Sequence, residues 1–253
     1  MRRRTVLLGA LGLALAGCDR ARPGAPRPPE PVTLPSSATA RVAGLAYVGG
    51  FVPQGWPELN PPALVVYADG TAVAGASRVL ALDLAAVAGE VDQLRTDLAG
   101  LPPTVQPDKN NLVDAPDTRI EVLGADGTLR SVRAYALGEL SGYPPSLLDA
   151  AGRLKGLAER VTAQGRPYTA DRIRLVTVPA GQQTVPSGQW PDAVPVPPAQ
   201  SNPVRVLEMR GEQARAAIAA IPARENSATG WQVLATPRDG TLAVAWRYLL
   251  PDE

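Results

Sequence analysis

Three Asp-Gly pairs, each between two apolar runs, constrain the fold of this chain more than any other feature. They are Asp69-Gly70, Asp126-Gly127 and Asp239-Gly240. Asp-Gly readily adopts the positive φ angles that a tight hairpin turn needs, and the flanking runs are rich in strand-forming residues. Each pair therefore predicts a β-hairpin. We expect Gly70, Gly127 and Gly240 to have φ above zero.

Strands and helices are predicted to alternate along the chain. The expected strands are 42–47, 63–67, 71–74, 118–123, 129–137, 172–178, 204–209, 231–235 and 242–248. Apolar residues at steps of three and four indicate helices with one buried face. The first such stripe, which follows a capping residue at Asp83, is Leu84, Val87, Val91, Leu94 and Leu98. The second stripe is Leu147, Ala151, Leu154, Ala158 and Val161, and a shorter helix is expected over 212–221.

This order of elements predicts an α+β fold. We expect an antiparallel sheet built from the Asp-Gly hairpins, with two or three helices on one face. The chain has 253 residues and is 45% hydrophobic, which permits one sizeable domain or two smaller subdomains.

Composition removes several kinds of chemistry. The chain contains no histidine, which excludes Ser-His-Asp and Cys-His nucleophiles and His-ligated metal sites. We expect no cofactor. The formal net charge is +1, and setting aside the arginines at positions 2–4 leaves 22 of the 25 basic residues against 24 acidic ones. That balance predicts no nucleic-acid partner.

The first eighteen residues have the order of an export signal. A basic start, Arg2–Arg4, precedes an apolar run over 5–16 that is too short to span a bilayer. The run ends in Leu15-Ala16-Gly17-Cys18, which contains the chain's single cysteine and resembles the lipobox of bacterial lipoproteins. The resemblance implies cleavage between Gly17 and Cys18 and lipid on Cys18. Two or three acyl chains there would hold the protein at a membrane.

Proline dominates the segment after the cysteine. Residues 22–31 read RPGAPRPPEP, a composition that favours polyproline II and cannot build a core. We therefore divide the chain into a signal peptide at 1–17, a lipidated cysteine with a Pro-rich tether at 18–40, and a folded α+β part at 41–253.

One segment of the folded part carries a second resemblance. Val113–Leu137 starts with Asp-Ala-Pro-Asp-Thr and ends near Arg-Ala-Tyr-Ala-Leu. It is similar to a pattern in uncharacterised secreted bacterial proteins. The resemblance covers about a tenth of the chain and implies no activity.

Two tryptophans lie in proline-rich loops. Trp56 and Trp190 are each followed by proline. Aromatic loop residues bury a large area at low entropic cost, so this pair is our candidate ligand-binding surface. The alternative is that both rings fold back over the sheet as lids.

Carboxylates provide the weaker candidates. Asp114 and Asp117 suggest an oxygen-ligated cation site, although a proline turn with Asx capping explains the same residues. A hydrolase would need two facing carboxyl groups. Its candidates are Glu121, Glu139, Asp149, Glu159 and Asp171.

These patterns predict a membrane-anchored, non-catalytic lipoprotein of the cell envelope. It would be held in the cell membrane or the outer membrane by Cys18 and face the periplasm or the exterior. Its domain would bind an envelope protein, an envelope polymer or a small ligand. Two alternatives remain: an envelope hydrolase that works through carboxylates, and a structural or assembly subunit of an envelope complex.

Overall fold

The computed structural model describes residues 32–109, 112–181, 184–199, 201–222 and 230–253. In this part of the chain, 13 strands form two sheets, and four helices pack among them. The mixed α+β class is confirmed. The expectation of a single sheet is corrected, because the strands divide into one sheet of eight and one of five.

The larger sheet is formed by the N-terminal two thirds of the described chain. Its strands are β1 (Arg41–Val48), β2 (Leu64–Tyr67), β3 (Thr71–Ala74), β4 (Arg78–Ala81), β5 (Thr104–Val105), β6 (Asp117–Leu123), β7 (Leu129–Tyr135) and β8 (Arg166–Pro167). Their order across the sheet is β5-β7-β6-β1-β2-β3-β4-β8. Every pairing is antiparallel except the short β5–β7 contact at the edge.

The smaller sheet is formed by the C-terminal part. Its strands are β9 (Arg172–Pro179), β10 (Gly188–Gln189), β11 (Arg205–Arg210), β12 (Gln232–Thr236) and β13 (Gly240–Tyr248). Their order is β10-β12-β13-β9-β11. Strand β13 pairs along most of its length with β9, which lies some sixty residues earlier in the chain. This long-range pairing creates a second sheet.

Asp69-Gly70 and Asp126-Gly127 lie between strands that pair antiparallel, and Gly240 is the first residue of β13. The flanking pairs are β2 with β3, β6 with β7, and β12 with β13. The φ angles of Gly70, Gly127 and Gly240 are 86°, 79° and 72°, which lie in the left-handed region expected for them. At Gly70 glycine is also needed for space, because a Cβ there would lie 2.5 Å from the carbonyl oxygen of Leu82.

Four helices have distinct starting signals. They are α1 (Trp56–Leu59), α2 (Leu84–Asp97), α3 (Pro145–Gln164) and α4 (Gly211–Ala220). The predicted cap of α2 is confirmed, since the Asp83 carboxylate accepts hydrogen bonds from the Ala85 and Ala86 amides. In α3 the capping residue is Pro144 and the first helical residue is Pro145. A proline at the first helical position loses no intrahelical hydrogen bond.

The stripe predicted for α2 is wrong at its first residue. Val87, Val91 and Leu94 are buried, and Leu98 just beyond the helix is buried too. Leu84 is 52% exposed. Leu84 is the first residue of α2, directly after the Asp83 cap, and this end of the helix lies away from the core.

Two cores correspond to the two sheets. Helices α2 and α3 pack on the face of the larger sheet that carries Leu64 and Val66. The opposite face, which carries Tyr67, packs against Leu250 and Tyr168. Helix α4 contributes Ala214 and Ala217 to the core of the smaller sheet. The three longer helices therefore do not share one face of one sheet.

The first described residues belong with the folded part. Val32, Leu34 and Ala40 are partly buried and pack against the larger core. The amide of Ala68 also donates to the carbonyl of Ala40 over 2.9 Å. Three residues of the segment predicted as a tether therefore contact the folded part.

An ionic network fastens the last described residues to the larger sheet. Arg41 in β1 donates to Glu121 over 2.8 Å and to Asp252 over 2.9 Å. The Tyr67 hydroxyl donates to the same Asp252 carboxylate over 2.7 Å. Burial and the hydrogen bond to Asp252 raise the pKa of Tyr67 well above its ordinary value, so this hydroxyl stays a donor. One guanidinium thus joins two carboxylates from distant parts of the sequence.

Candidate functional site

A cavity of about 270 Å³ lies between α2, α3 and the larger sheet. Its floor includes Ala43 and Val66, which are register partners across β1 and β2. Its apolar walls are completed by Leu82, Ala86, Val87, Val91 and Leu157. The cavity is open to solvent on one side, where the lining residues Ala86, Gly156 and Arg160 are exposed.

Small residues keep the cavity open. Ala43 on the sheet, Ala86 on α2 and Gly156 on α3 all line it. A Cβ placed on Gly156 would meet no atom within 4 Å, so the space beside this position is free. Glycine inside a helix costs about 1 kcal/mol relative to alanine. Gly156 is exposed, so this free space lies at the open mouth of the cavity.

Three charged side chains also line the cavity. Glu90 lies on α2, and Arg153 and Arg160 lie on α3. The Nε atom of Arg153 is 3.5 Å from Oε1 of Glu90. The same guanidinium donates through Nη2 to Asp97, which is seven residues after Glu90 and so two turns along the same face of α2. Arg153 thus links the two helices beside the cavity.

Two polar atoms beside the cavity face each other without forming a hydrogen bond. Oε1 of Glu90 and Nε of Arg153 are both buried without a hydrogen-bond partner in the described part of the chain. An unsatisfied buried polar atom costs about 1–3 kcal/mol. Burial raises the pKa of Glu90 above its ordinary value, and the positive charge of Arg153 offsets only part of this rise. The two atoms lie 3.5 Å from each other as an ion pair, and neither has surface that a ligand in the cavity could contact.

Trp190 lies in the core and not on a binding surface. Its side chain is 7% exposed and packs in the core of the smaller sheet. Its indole Nε1 donates to the carbonyl of Val194 over 2.6 Å. The ring folds back from its loop and packs over the smaller sheet, which is the alternative that the sequence left open. Trp190 is therefore too deeply buried to present its ring to a ligand as a binding-loop residue.

Trp56 keeps part of its ring exposed. It begins α1 and lines a separate depression of about 210 Å³, together with Tyr47, Asn60 and Arg119. Trp190 is not among the residues that line this depression. The structure therefore does not bring the two predicted tryptophans into one surface.

The Asp114 and Asp117 pair has the geometry of a turn. Asp114 is exposed with φ of 63°, and its backbone carbonyl accepts from the Phe51 amide over 3.0 Å. Asp117 starts β6 and lies 3.8 Å from Arg133. Among the described residues, no group of three or more Asp, Glu, Cys or His side chains is arranged to hold a metal ion.

The hydrolase candidates are scattered. Glu121 is paired with Arg41 at 2.8 Å and with Arg119 at 3.3 Å. The other four candidates are exposed: Glu139, Asp149, Glu159 and Asp171. None of the five lines the cavity between α2 and α3.

Sequence analysis missed the residues that define this cavity. Glu90, Arg153 and Gly156 were not singled out, although Val87 and Val91 were expected in the core. The available signal was a pair of glycines, Gly152 and Gly156, one turn apart inside a predicted helix. Glycine is unfavourable there unless space is needed.

The leader residues Gly17 and Cys18 lie outside the described residues. Across the described ranges, no helix combines the length and the apolar character needed to cross a membrane. A scan against protein-family models, a search of curated proteins and a search of solved structures each gave no match to this chain.

Proposed function

We propose that this protein is a lipid-anchored, non-catalytic binding module of the bacterial cell envelope, and that the cavity between α2 and α3 is its ligand site. The anchoring part rests on the resemblance of Leu15-Ala16-Gly17-Cys18 to a lipobox. The observation that carries the binding part is the cavity of about 270 Å³. It joins an apolar floor to the charged side chains Glu90, Arg153 and Arg160, and a few polar groups on an apolar surface are the usual make-up of a small-molecule site.

The arrangement of carboxylates favours binding over hydrolysis. A glycosidase-like mechanism needs two carboxyl groups that face each other across the substrate. Here Glu90 lines the cavity, while Asp97 is held by Arg153. The frame that we propose for this site is a sheet stiffened by Asp-Gly hairpins, with the cavity between that sheet and its two helices.

Replacing Cys18 with alanine should abolish lipid attachment. The thiol is the only group at the lipobox that can form the thioether. Metabolic labelling with an alkyne fatty acid should mark the wild-type protein, and the Cys18→Ala variant should carry no label. Equal labelling of the two proteins would contradict the anchoring part of the proposal.

The cavity should bind an eight-carbon alcohol. A space of this size accommodates about ten non-hydrogen atoms, judged from the size of cavities that hold benzene. We expect 1-octanol to bind a protein that comprises residues 32–253 with a Kd of about 0.1–1 mM, measured from backbone amide shifts in NMR titrations. The Gly156→Leu variant should lose this binding, because the new side chain enters the cavity.

Gly152→Leu is the matched control. Gly152 lies one turn before Gly156 on α3, and a Cβ there also meets nothing within 4 Å. It lines a different depression, which includes Leu148 and Lys155. Both substitutions should raise the free energy of unfolding by about 0.5–1 kcal/mol through helix propensity. Equal octanol binding by the two variants, or none by the wild type, would contradict the proposed site.

A further inference from the structure

We propose that the depression beside Trp56 is a second binding site, and that it takes one acidic sugar residue, a six-membered ring that carries a carboxylate. This site is separate from the cavity between α2 and α3, since no residue lines both. The depression has a volume of about 210 Å³. Judged from cavities that hold benzene, it receives about eight non-hydrogen atoms, which is enough for one sugar ring and not for two.

Two aromatic side chains at the depression offer flat surface to a ligand. Trp56 is partly exposed, Tyr47 is 42% exposed, and both line the depression. A sugar ring has a face of C–H groups, and the electron-rich face of an aromatic ring attracts such weakly positive hydrogens. Packing the two faces together also removes apolar surface from water. The aromatic pair therefore favours a sugar ring as the ligand.

The charge at the depression favours an acid. Arg119 is the single charged side chain among the described residues that line it. Its side chain is 31% exposed, and its buried Nε lies 3.3 Å from a Glu121 carboxylate whose other oxygen is held by Arg41 at 2.8 Å. The two terminal nitrogens of Arg119 have no hydrogen-bond partner in the described part of the chain. A ligand would meet the guanidinium through these nitrogens, and their paired N–H groups fit the two oxygens of a carboxylate.

The neutral polar groups at the depression match hydroxyls. Asn60 donates through Nδ2 to the Tyr47 carbonyl over 3.0 Å, which leaves its Oδ1 as an acceptor. The indole N–H of Trp56 only donates, and the Tyr47 hydroxyl can donate or accept. None of these three groups has a hydrogen-bond partner among the described residues. A sugar hydroxyl both donates and accepts, so it can pair with any of them.

Contacts within the fold hold the loop that forms the depression. The Phe51 amide donates to the Asp114 carbonyl over 3.0 Å. Gly55 lies so close to Trp231 that a Cβ there would be 2.8 Å from the indole ring. The Asn60 side chain ties the end of the loop back to β1. The site is therefore formed before a ligand arrives, which lowers the entropic cost of binding.

The test titrates four probes into the whole chain, residues 1–253. Three are methyl glucosides that differ at one carbon: methyl β-D-glucuronide, methyl β-D-glucoside and methyl 6-amino-6-deoxy-β-D-glucoside. The fourth, cyclohexanecarboxylate, keeps a ring and the carboxylate but has no hydroxyls. The indole N–H signal of Trp56 is followed by NMR, with that of Trp190, which donates inside the core, as the internal reference. We expect the glucuronide to bind about fivefold or more tightly than the other three and to shift the Trp56 signal alone.

Three variants locate the effect. Arg119→Met removes the charge and keeps the length of the side chain, so glucuronide affinity should fall to that of the glucoside. Glucoside binding in this variant should change less than about twofold, which shows that the site is intact. Arg78→Met is the matched control, because Arg78 is exposed on the same sheet and does not line the depression. It should leave all binding unchanged, whereas Trp56→Ala should weaken all three sugars about tenfold.

Each contrary outcome overturns a defined part of the inference. Equal binding of glucuronide and glucoside, or a preference that survives in Arg119→Met, would overturn the carboxylate contact. Equal binding of cyclohexanecarboxylate and glucuronide would overturn the sugar as the ligand class. If no probe shifts the Trp56 signal, the depression is not a binding site. The binding of 1-octanol in the cavity is measured separately, so these outcomes leave the proposed function to its own test.

Discussion

Replacing Trp190 with alanine should lower the free energy of unfolding by about 3–5 kcal/mol, the usual cost of truncating a buried tryptophan. The ring is 7% exposed, and it packs in the core of the smaller sheet with residues such as Leu175 and Leu234. The substitution also removes the indole donor to the Val194 carbonyl. Urea denaturation followed by circular dichroism measures the loss.

Trp56→Ala is the control for this prediction. Trp56 is partly exposed at the start of a four-residue helix, and we expect its replacement to cost about 1 kcal/mol. Similar destabilisation by the two substitutions would contradict the assignment of Trp190 to the core. The same would follow from a Trp190→Ala variant as stable as the wild type.

Replacing Arg41 with alanine should lower the free energy of unfolding by a similar amount, about 3–5 kcal/mol, because it removes one partner from a largely buried ionic network. The side chains of Arg41, Glu121 and Asp252 are 15%, 12% and 23% exposed. Without the guanidinium, two carboxylates remain together with less compensation. Thermal and urea unfolding at neutral pH should both report the loss.

Arg78→Ala is the matched control for this network. Arg78 lies on β4 of the same sheet and is exposed, so its replacement should change stability by no more than about 0.5 kcal/mol. If Arg41→Ala cost no more than Arg78→Ala, the network would be an exposed set of weak ion pairs. Its role in fastening Asp252 to the larger sheet would then be wrong.

Local signals predicted most of the elements. The Asp83 cap and the apolar spacing of 87–98 identified α2 because both depend on neighbours within one or two helical turns. Strand β4, at 78–81, was missed, since four residues with a single buried side chain carry too short a pattern to stand out.

The division into two sheets depends on distant pairings. Strand β13 pairs with β9, and its burial pattern shows no simple alternation that would identify its partner in advance. The structure places Trp246 opposite Leu175 across the β13–β9 pair. No turn or cap encodes that choice, so one sheet was expected from the sequence where two form.

The candidate site shows the same limit. Gly156, Glu90 and Arg153 acquire their roles from the way that α2 lies beside α3, and Glu90 and Arg153 are more than sixty residues apart in the chain. The direction of Trp190 was left open for a related reason: a Pro-rich loop indicates irregular backbone but not the direction in which its side chains point. Only Gly152 and Gly156 marked the helix as unusual.

The most direct measurement of the central claim is the location of a bound probe. Isotope-filtered NMR should give nuclear Overhauser effects between the alkyl protons of bound 1-octanol and the methyl groups of Val66 and Val91, which line the cavity between α2 and α3. Contacts instead to Ala74 and Ala163, which line a neighbouring depression, would contradict the claim that this cavity is the ligand site.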